Sequence, residues 1–388
     1  MSVRTFEIPY DEAAVADLRQ RLNATRLPDE LENAAADYGL EKRFVQDTIK
    51  YWAESYDYKS WVDKLNKLPH FKVQIDEIDL HFVHIKSGKP NAIPIIISHG
   101  WPGSFFEHYK SGPILAEGND KISFDVVIPS IPGFTFSSPF VKTGNGAERV
   151  AEIFNKLMVN VLGYKKYISQ GGDWGSPITR TMAVKYPQNC VAWHTNFIAS
   201  SPTFLRNIPS LLVMMVNPNL IFSKDEVAGL DFMKQWQSQG TGYYQMQATK
   251  PQTLAYGLAD SPTGLLAWTG FGQPNPHITR DEFLTNLTMY WMTNCIGSSV
   301  RIYKESKPFF AYFKDYCTVP VGVAYFPDDL LRMPRMWLDA NHNIASYTKI
   351  PIGGHFASWE QPELFTNDII KFAVILKKRG LFKSGSLL

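Results

Sequence analysis

Apolar residues recur at spacings near 3.6 through Tyr10–Leu22 and Glu41–Ser55, which predicts two amphipathic helices; Asp57–Leu65, with Trp61, adds a third short element. From position 71 the period shortens to two. Phe71–Ile75 and Leu80–Ile85 alternate as an antiparallel pair does. Continuous apolar runs follow at Ile93–Ser98 and Phe124–Ile128, the pattern of strands covered on both faces of a parallel sheet. Ala147–Leu162 reads as a crossover helix, Tyr167–Ser169 as a strand, Pro177–Lys185 as a helix and Val191–Phe197 as a further strand. Between about 200 and 315 this rhythm stops. The segment is rich in Met, Leu, Trp and Tyr, and its helical stretches are separated by prolines, as in an inserted cap. Strands return at Val319–Phe326 and Lys349–Ile352, followed by a final helix near Pro362–Lys378. About eight strands with helices between most of them predict an α/β fold: one mostly parallel sheet with helices on both faces. The expected division is an N-terminal helical segment with the first antiparallel strands (1–90), a first core part (91–199), a helical cap (200–315) and a second core part (316–388).

Composition changes this picture little. A chain of 388 residues suits one large domain with an insertion, or two domains. Aromatics at 14%, including 10 Trp and 18 Tyr, fit an aromatic-lined pocket for an apolar ligand and fit core packing equally well. With 39 basic against 37 acidic residues and no basic tract, nucleic acid is not an expected partner. Cys190, Cys295 and Cys317 have no metal-ligand spacing and read as buried small hydrophobes. The start, Met1–Glu7, lacks the apolar stretch of a signal or an anchor. The longest interior apolar run, about Leu211–Val216, falls far short of the ~18 residues of a membrane span. The expectation is a soluble, cytoplasmic protein without a transmembrane anchor.

The chemistry is concentrated in Gly171-Gly172-Asp173-Trp174-Gly175-Ser176, which stands between a strand and a helix. This is the nucleophile elbow of an α/β-hydrolase with a carboxylate in place of serine. Glycines at 171 and 175 let strand and helix close around a strained central residue. A serine there would suggest acyl transfer. An aspartate suggests attack on an alkyl carbon and an alkyl ester on the enzyme, the chemistry of epoxide or haloalkane hydrolysis.

A triad in this fold runs nucleophile, acid, histidine in chain order. Gly353-Gly354-His355-Phe356 follows the last expected strand, and His355 alone of 9 histidines has that place. The acid belongs in Phe326-Pro327-Asp328-Asp329-Leu330; spacing leaves Asp328 and Asp329 both open, with Asp329 preferred. Such an acid orients the histidine and stabilises the imidazolium. His99-Gly100-Trp101-Pro102-Gly103-Ser104 follows the strand at 93 and supplies one oxyanion amide; the residue after the nucleophile supplies the other. These are the backbone N–H groups of Trp101 and Trp174. Trp101-Pro102 is a candidate cis bond, and His99 reads as a structural histidine. Trp101, Pro102, Trp174 and Phe356 are the expected substrate contacts. In the expected reaction Asp173 opens an epoxide ring and a phenol protonates or hydrogen-bonds the leaving oxygen. His355 then activates water against the ester, and a vicinal diol leaves. No metal or organic cofactor is required; the partners are a small apolar epoxide and water.

The chain resembles the epoxide hydrolases of the microsomal type and their soluble fungal and bacterial relatives nearly end to end. The matching stretches are His99–Ser104, Pro129-Ser130-Ile131-Pro132-Gly133-Phe134, the elbow, Phe326–Leu331 and Gly353–Phe356. In the cap, Gly242-Tyr243 through Thr249-Lys250-Pro251 and Asp260-Ser261-Pro262 are similar as well. The resemblance implies an N-terminal segment that wraps the core and contacts the cap. It implies that two cap tyrosines bind the epoxide oxygen, falling on Tyr243 and on Tyr303 in Arg301-Ile302-Tyr303-Lys304-Glu305, with Tyr244 the rival of Tyr243. It favours Asp329, which precedes Leu330-Leu331, and makes a homodimer conceivable by analogy. Membrane-bound members begin with an anchor helix; this sequence shows none. Two other readings share the scaffold: a haloalkane dehalogenase, which needs donors that cradle halide, and a catalytically silent ligand-binding protein, which predicts a damaged triad.

Overall fold

In the computed structural model, which describes residues 2–32, 35–200, 210, 212, 213, 215–270 and 273–382, nine described strands form one sheet. They are β1 (Val3–Thr5), β2 (His70–Ile75), β3 (Ile78–Ile85), β4 (Ile93–Ser98), β5 (Phe124–Pro129), β6 (Tyr167–Gly171), β7 (Cys190–Thr195), β8 (Cys317–Tyr325) and β9 (His342–Lys349). Their order is β1-β2-β3-β5-β4-β6-β7-β8-β9. The first three pair antiparallel, and β3 meets β5 antiparallel. From β5 to β9 every pair is parallel.

The hydrophobic pattern explains most of this. Every residue of β4, β6 and β7 is buried, as the continuous apolar runs require of strands covered on both faces. The helices Gly175–Lys185 and Pro362–Lys378 pack on the sheet through Ile178, Met182, Phe365, Ile369 and Phe372. All three cysteines are buried and unpaired. Two expectations need correction. Val3–Thr5 forms a strand on the edge of the sheet that no apolar pattern announced. The last strand is His342–Lys349, so the expected Lys349–Ile352 starts where it ends. β9 pairs only with β8 and is half-covered along most of its length, so it lacks the apolar run of a buried strand.

Between β7 and β8 lies a helical region that includes Lys224–Gln239, Gly242–Thr249, Pro251–Asp260, Pro262–Thr269, Arg280–Met292 and Arg301–Glu305. The beginning of the expected cap, 201–209 with 211 and 214, lies outside the described residues. The N-terminal helices Glu12–Asn23, Lys42–Glu54 and Tyr58–Leu65 sit against this region. Trp52 Nε1 donates to Thr288 Oγ1 at 3.0 Å, Tyr56 Oη shares a hydrogen with Thr285 Oγ1 at 2.8 Å, and Tyr51 Oη donates to Asp281 Oδ1 at 2.7 Å. No helix among the described residues is long and apolar enough to cross a membrane.

β4 pairs with β5 on one side and β6 on the other, so the chain changes direction across the sheet there. Loops leaving the carboxyl ends of strands around such a switch point form a crevice, the place where ligands bind in open α/β sheets. The loops carrying Trp101, Asp173, Asp329 and His355 all leave such ends.

Candidate active site

Asp173 follows β6 with φ of +42°, a left-handed conformation costly for a side chain with a Cβ. Its flanking glycines are required by space. A Cβ on Gly171 would lie 2.2 Å from the carbonyl oxygen of Gly175, and one on Gly175 would lie 2.1 Å from that of Ser98. The helix Gly175–Lys185 therefore starts hard against β4 and β6, and the turn projects Asp173 into the crevice.

Three groups meet this carboxylate. The Trp101 amide donates to Asp173 Oδ1 at 2.7 Å. His355 Nε2 lies 3.3 Å from Asp173 Oδ2. Behind the ring, His355 Nδ1 lies 2.8 Å from Asp329 Oδ1. Asp329 is buried, whereas Asp328 is exposed and contributes its backbone, pairing with the loop at Gly353 and Gly354. Geometry thus separates two carboxylates that spacing left open. Burial disfavours a charged His355, but the Asp329 charge and the hydrogen bond to Asp173 outweigh it and raise the imidazole well above its ordinary value. With its proton, the ring is an imidazolium between two carboxylates.

The loop that holds the Trp101 amide is tied to the helix Arg280–Met292. Asn286 accepts from Ser104 Oγ at 2.7 Å and donates to the Pro102 carbonyl at 2.9 Å, and Tyr290 Oη donates to the Gly103 carbonyl at 2.7 Å. The Trp101-Pro102 bond is cis. His99 is a buried structural histidine: its Nε2 accepts the Ile131 amide at 3.0 Å, and burial lowers it to about 4.

Tyr243 and Tyr303 stand over Asp173. Their rings meet edge to face with centroids 6.1 Å apart, and the Trp174 ring meets Tyr303 in the same way at 5.0 Å. Burial, then neighbouring charge including that of Asp173, pushes both phenols up, so both keep their protons across the physiological range. Tyr243 stacks on Trp101 at 5.9 Å and 11° between planes. Tyr244 also touches Tyr303, with ring centroids 5.3 Å apart.

A cavity of about 480 Å³ opens from Asp173, walled by Phe197, Leu230, Met233, Tyr243, Tyr244, Tyr303, Phe309, Leu330 and Leu331 among others. Of the four expected substrate contacts, Trp174 lines it. Trp101, Pro102 and Phe356 are not among the described lining residues of this cavity. Trp101 is turned under the phenols and only 1% exposed, and Phe356 packs on Trp359. No group of three or more His, Cys, Asp or Glu among the described residues is arranged to hold a metal.

One further carboxyl reaches the site that motif reasoning passed over: Glu107, on the turn Phe105–His108. Burial, with the Asp173 charge adding to it, pushes it up to about 8 against the opposing pull of His355. The signal in the sequence was a lone acid in the aromatic run Ser104-Phe105-Phe106-Glu107, just after a glycine loop.

The geometry agrees with what the chain is similar to. Residues 3–108 match the family model described as epoxide hydrolase N terminus, and 93–203 match that of the alpha/beta hydrolase fold. Epoxide hydrolase 1 of Oryctolagus cuniculus is 33% identical over 97% of this chain and 90% of its own length. The crystal structure of juvenile hormone epoxide hydrolase from the silkworm Bombyx mori superposes with a TM-score of 0.89 at 31% identity, covering 97% of this chain and 96% of that one. The structure of Aspergillus niger epoxide hydrolase gives 0.85 at 27% identity, covering 97% of each chain. The chain belongs to the epoxide hydrolase family, hydrolases that act on the ether bond of an epoxide.

Proposed function

We propose that the chain hydrolyses epoxides in two steps through a covalent alkyl ester on Asp173. The observation that carries this reading is the setting of the Asp173 carboxylate, held by the Trp101 amide at 2.7 Å and by His355 at 3.3 Å in a cavity shared with the phenols of Tyr243 and Tyr303. Asp173 attacks a ring carbon, the carbon–oxygen bond of the ring breaks, and a phenol of Tyr243 or Tyr303 gives its proton to the alkoxide. The imidazolium of His355 supplies the proton that restores the phenol. Esterification also removes the Asp173 charge, one of the two that keep His355 protonated. The neutral ring, still oriented by Asp329, is then a base toward water.

Water attacks the ester carbonyl carbon and gives one proton to His355. The tetrahedral oxyanion rests on the Trp101 amide, with the Trp174 amide as the second donor. The ester bond breaks, the water's second proton ends on the product hydroxyl, and a vicinal diol leaves. Asp173 is again a carboxylate and His355 an imidazolium, so the proton balance closes. The apolar walls of the cavity fit a substrate with an apolar body.

One turnover in oxygen-18 water, with enzyme in excess over styrene oxide, tests the reading. The oxygen added to the diol should come from Asp173, leaving the diol unlabelled and one heavy oxygen on the peptide that contains Asp173. Label in the diol after that first turnover would mean direct attack by water and would overturn the ester.

A further inference from the structure

Glu107 lies among the groups assigned above and has no task in the reaction as described. Its Oε1 is fully covered and has no hydrogen-bond partner among the described residues. Leaving a buried carboxyl oxygen unpaired is costly, so a purely structural position gains nothing from an acid here. Two glycines make room for two carboxyls on one loop. A Cβ on Gly100 would lie 2.3 Å from the Cβ and Oδ1 of Asp173, and a Cβ on Gly103 would lie 1.4 Å from Glu107 Oε1. The charges of Asp173 and His355 both act on the Glu107 carboxyl. Residues 98–106 and 108 are all buried, yet Glu107 keeps part of its surface open.

We propose that Glu107 holds the water that hydrolyses the Asp173 ester. The proposal rests on the ester reading above. The water donates one hydrogen to His355 Nε2 and the other to a carboxyl oxygen of Glu107, which leaves a lone pair directed at the ester carbon. The first O–H bond breaks as the oxygen–carbon bond forms, and its proton goes to His355. The second proton passes to the departing product oxygen as the ester bond breaks. Glu107 changes its protonation at no step. An uncharged carboxyl is suited to this place, because a second anion beside Asp173 would compete with it for the His355 proton.

The test uses the full-chain enzyme in single-turnover, rapid-quench experiments with styrene oxide, following ester on the Asp173 peptide and diol separately. Glu107→Leu should form the ester within about threefold of the parent rate and break it down about tenfold more slowly or worse, so that ester accumulates. Glu107→Gln, which keeps an acceptor in place, should restore breakdown to within about threefold. Ester formation counts the folded sites; Glu107→Met, also long and without an oxygen, serves if the leucine variant does not fold. Unchanged breakdown in the leucine variant, equal slowing of both steps, or a glutamine variant as slow as leucine would overturn the role of Glu107. No ester in the parent enzyme would overturn the Asp173 reading and this proposal together; ester in the parent with fast breakdown in the leucine variant removes Glu107 alone.

Discussion

Replacing Asp173 by asparagine keeps the side chain's shape and removes the charge that attacks. Asp173→Asn should lower turnover by more than about 10³-fold, measured on protein checked by mass for deamidation. Activity near that of the parent would remove Asp173 from the mechanism. In the proposed reaction the phenols divide one task. Tyr243→Phe and Tyr303→Phe should each slow ester formation by about 10- to 100-fold and leave ester breakdown nearly unchanged, because each leaves the other donor in place. No slowing in either variant would exclude phenol donation. Glu107 carries a pH signature. Its folded value of about 8 lies above the ordinary carboxylate value, so between those limits the folded chain keeps a proton that the unfolded chain releases. Stability from this group is therefore present at low pH and is lost as pH rises toward 8. Glu107→Gln has no such loss, so its melting temperature relative to the parent should rise between pH 5 and pH 8; a constant difference would contradict the buried, protonated acid. At this scale the sequence was legible where a turn demands a residue type. The elbow glycines and the place of His355 after the last strand needed no coordinates. Asp328 and Asp329 could not be separated by spacing, because burial of one and exposure of the other is decided by how their loop pairs with Gly353 and Gly354. Glu107 escaped because nothing local shows that its carboxyl lies over Gly103.

The elbow and the loop at 99–104 work as a pair of elements. Gly175 lets the helix Gly175–Lys185 start against the Ser98 carbonyl, and Gly171 lets β6 turn beneath it. Backbone lies on the far side of both gaps, so neither position can yield cheaply. Gly175→Ala should cost at least about 3 kcal/mol in chemical denaturation, beyond the ordinary range for point changes; a cost below about 1 kcal/mol would mean that the turn is more open than described. The loop is held from the other side by Asn286, which meets both Ser104 and the Pro102 carbonyl. Element type and order were legible over most of the chain because continuous apolar runs mark covered strands. The misplaced strand shows where this fails. β9 borders the sheet, its side chains are half-covered, and pairing with β8 alone fixes it as a strand. Val3–Thr5 is a strand for the same reason, by pairing with β2 rather than by its own pattern.

Across the whole molecule, loops of one sheet carry Asp173, Asp329, His355 and the Trp101 amide, and the helical region carries Tyr243 and Tyr303. The N-terminal segment bonds the helix Arg280–Met292 through Trp52, Tyr56 and Tyr51, and the same helix holds the loop of Trp101 through Asn286. The resemblance in the sequence pointed to a wrapping segment; that it leans on the very helix that steadies the site is a property of tertiary packing and is invisible in any local pattern. The central claim concerns how the two halves cooperate: the phenols and Asp173 make an ester that only His355 can release. The most direct test is the intact mass of His355→Gln after mixing with styrene oxide, with peptide mapping of any adduct. The account predicts a stable adduct of whole-epoxide mass on the peptide that contains Asp173, with diol release slowed by about 10³-fold or more. A variant that carries no adduct, or that carries one and still releases diol at the parent rate, would contradict it.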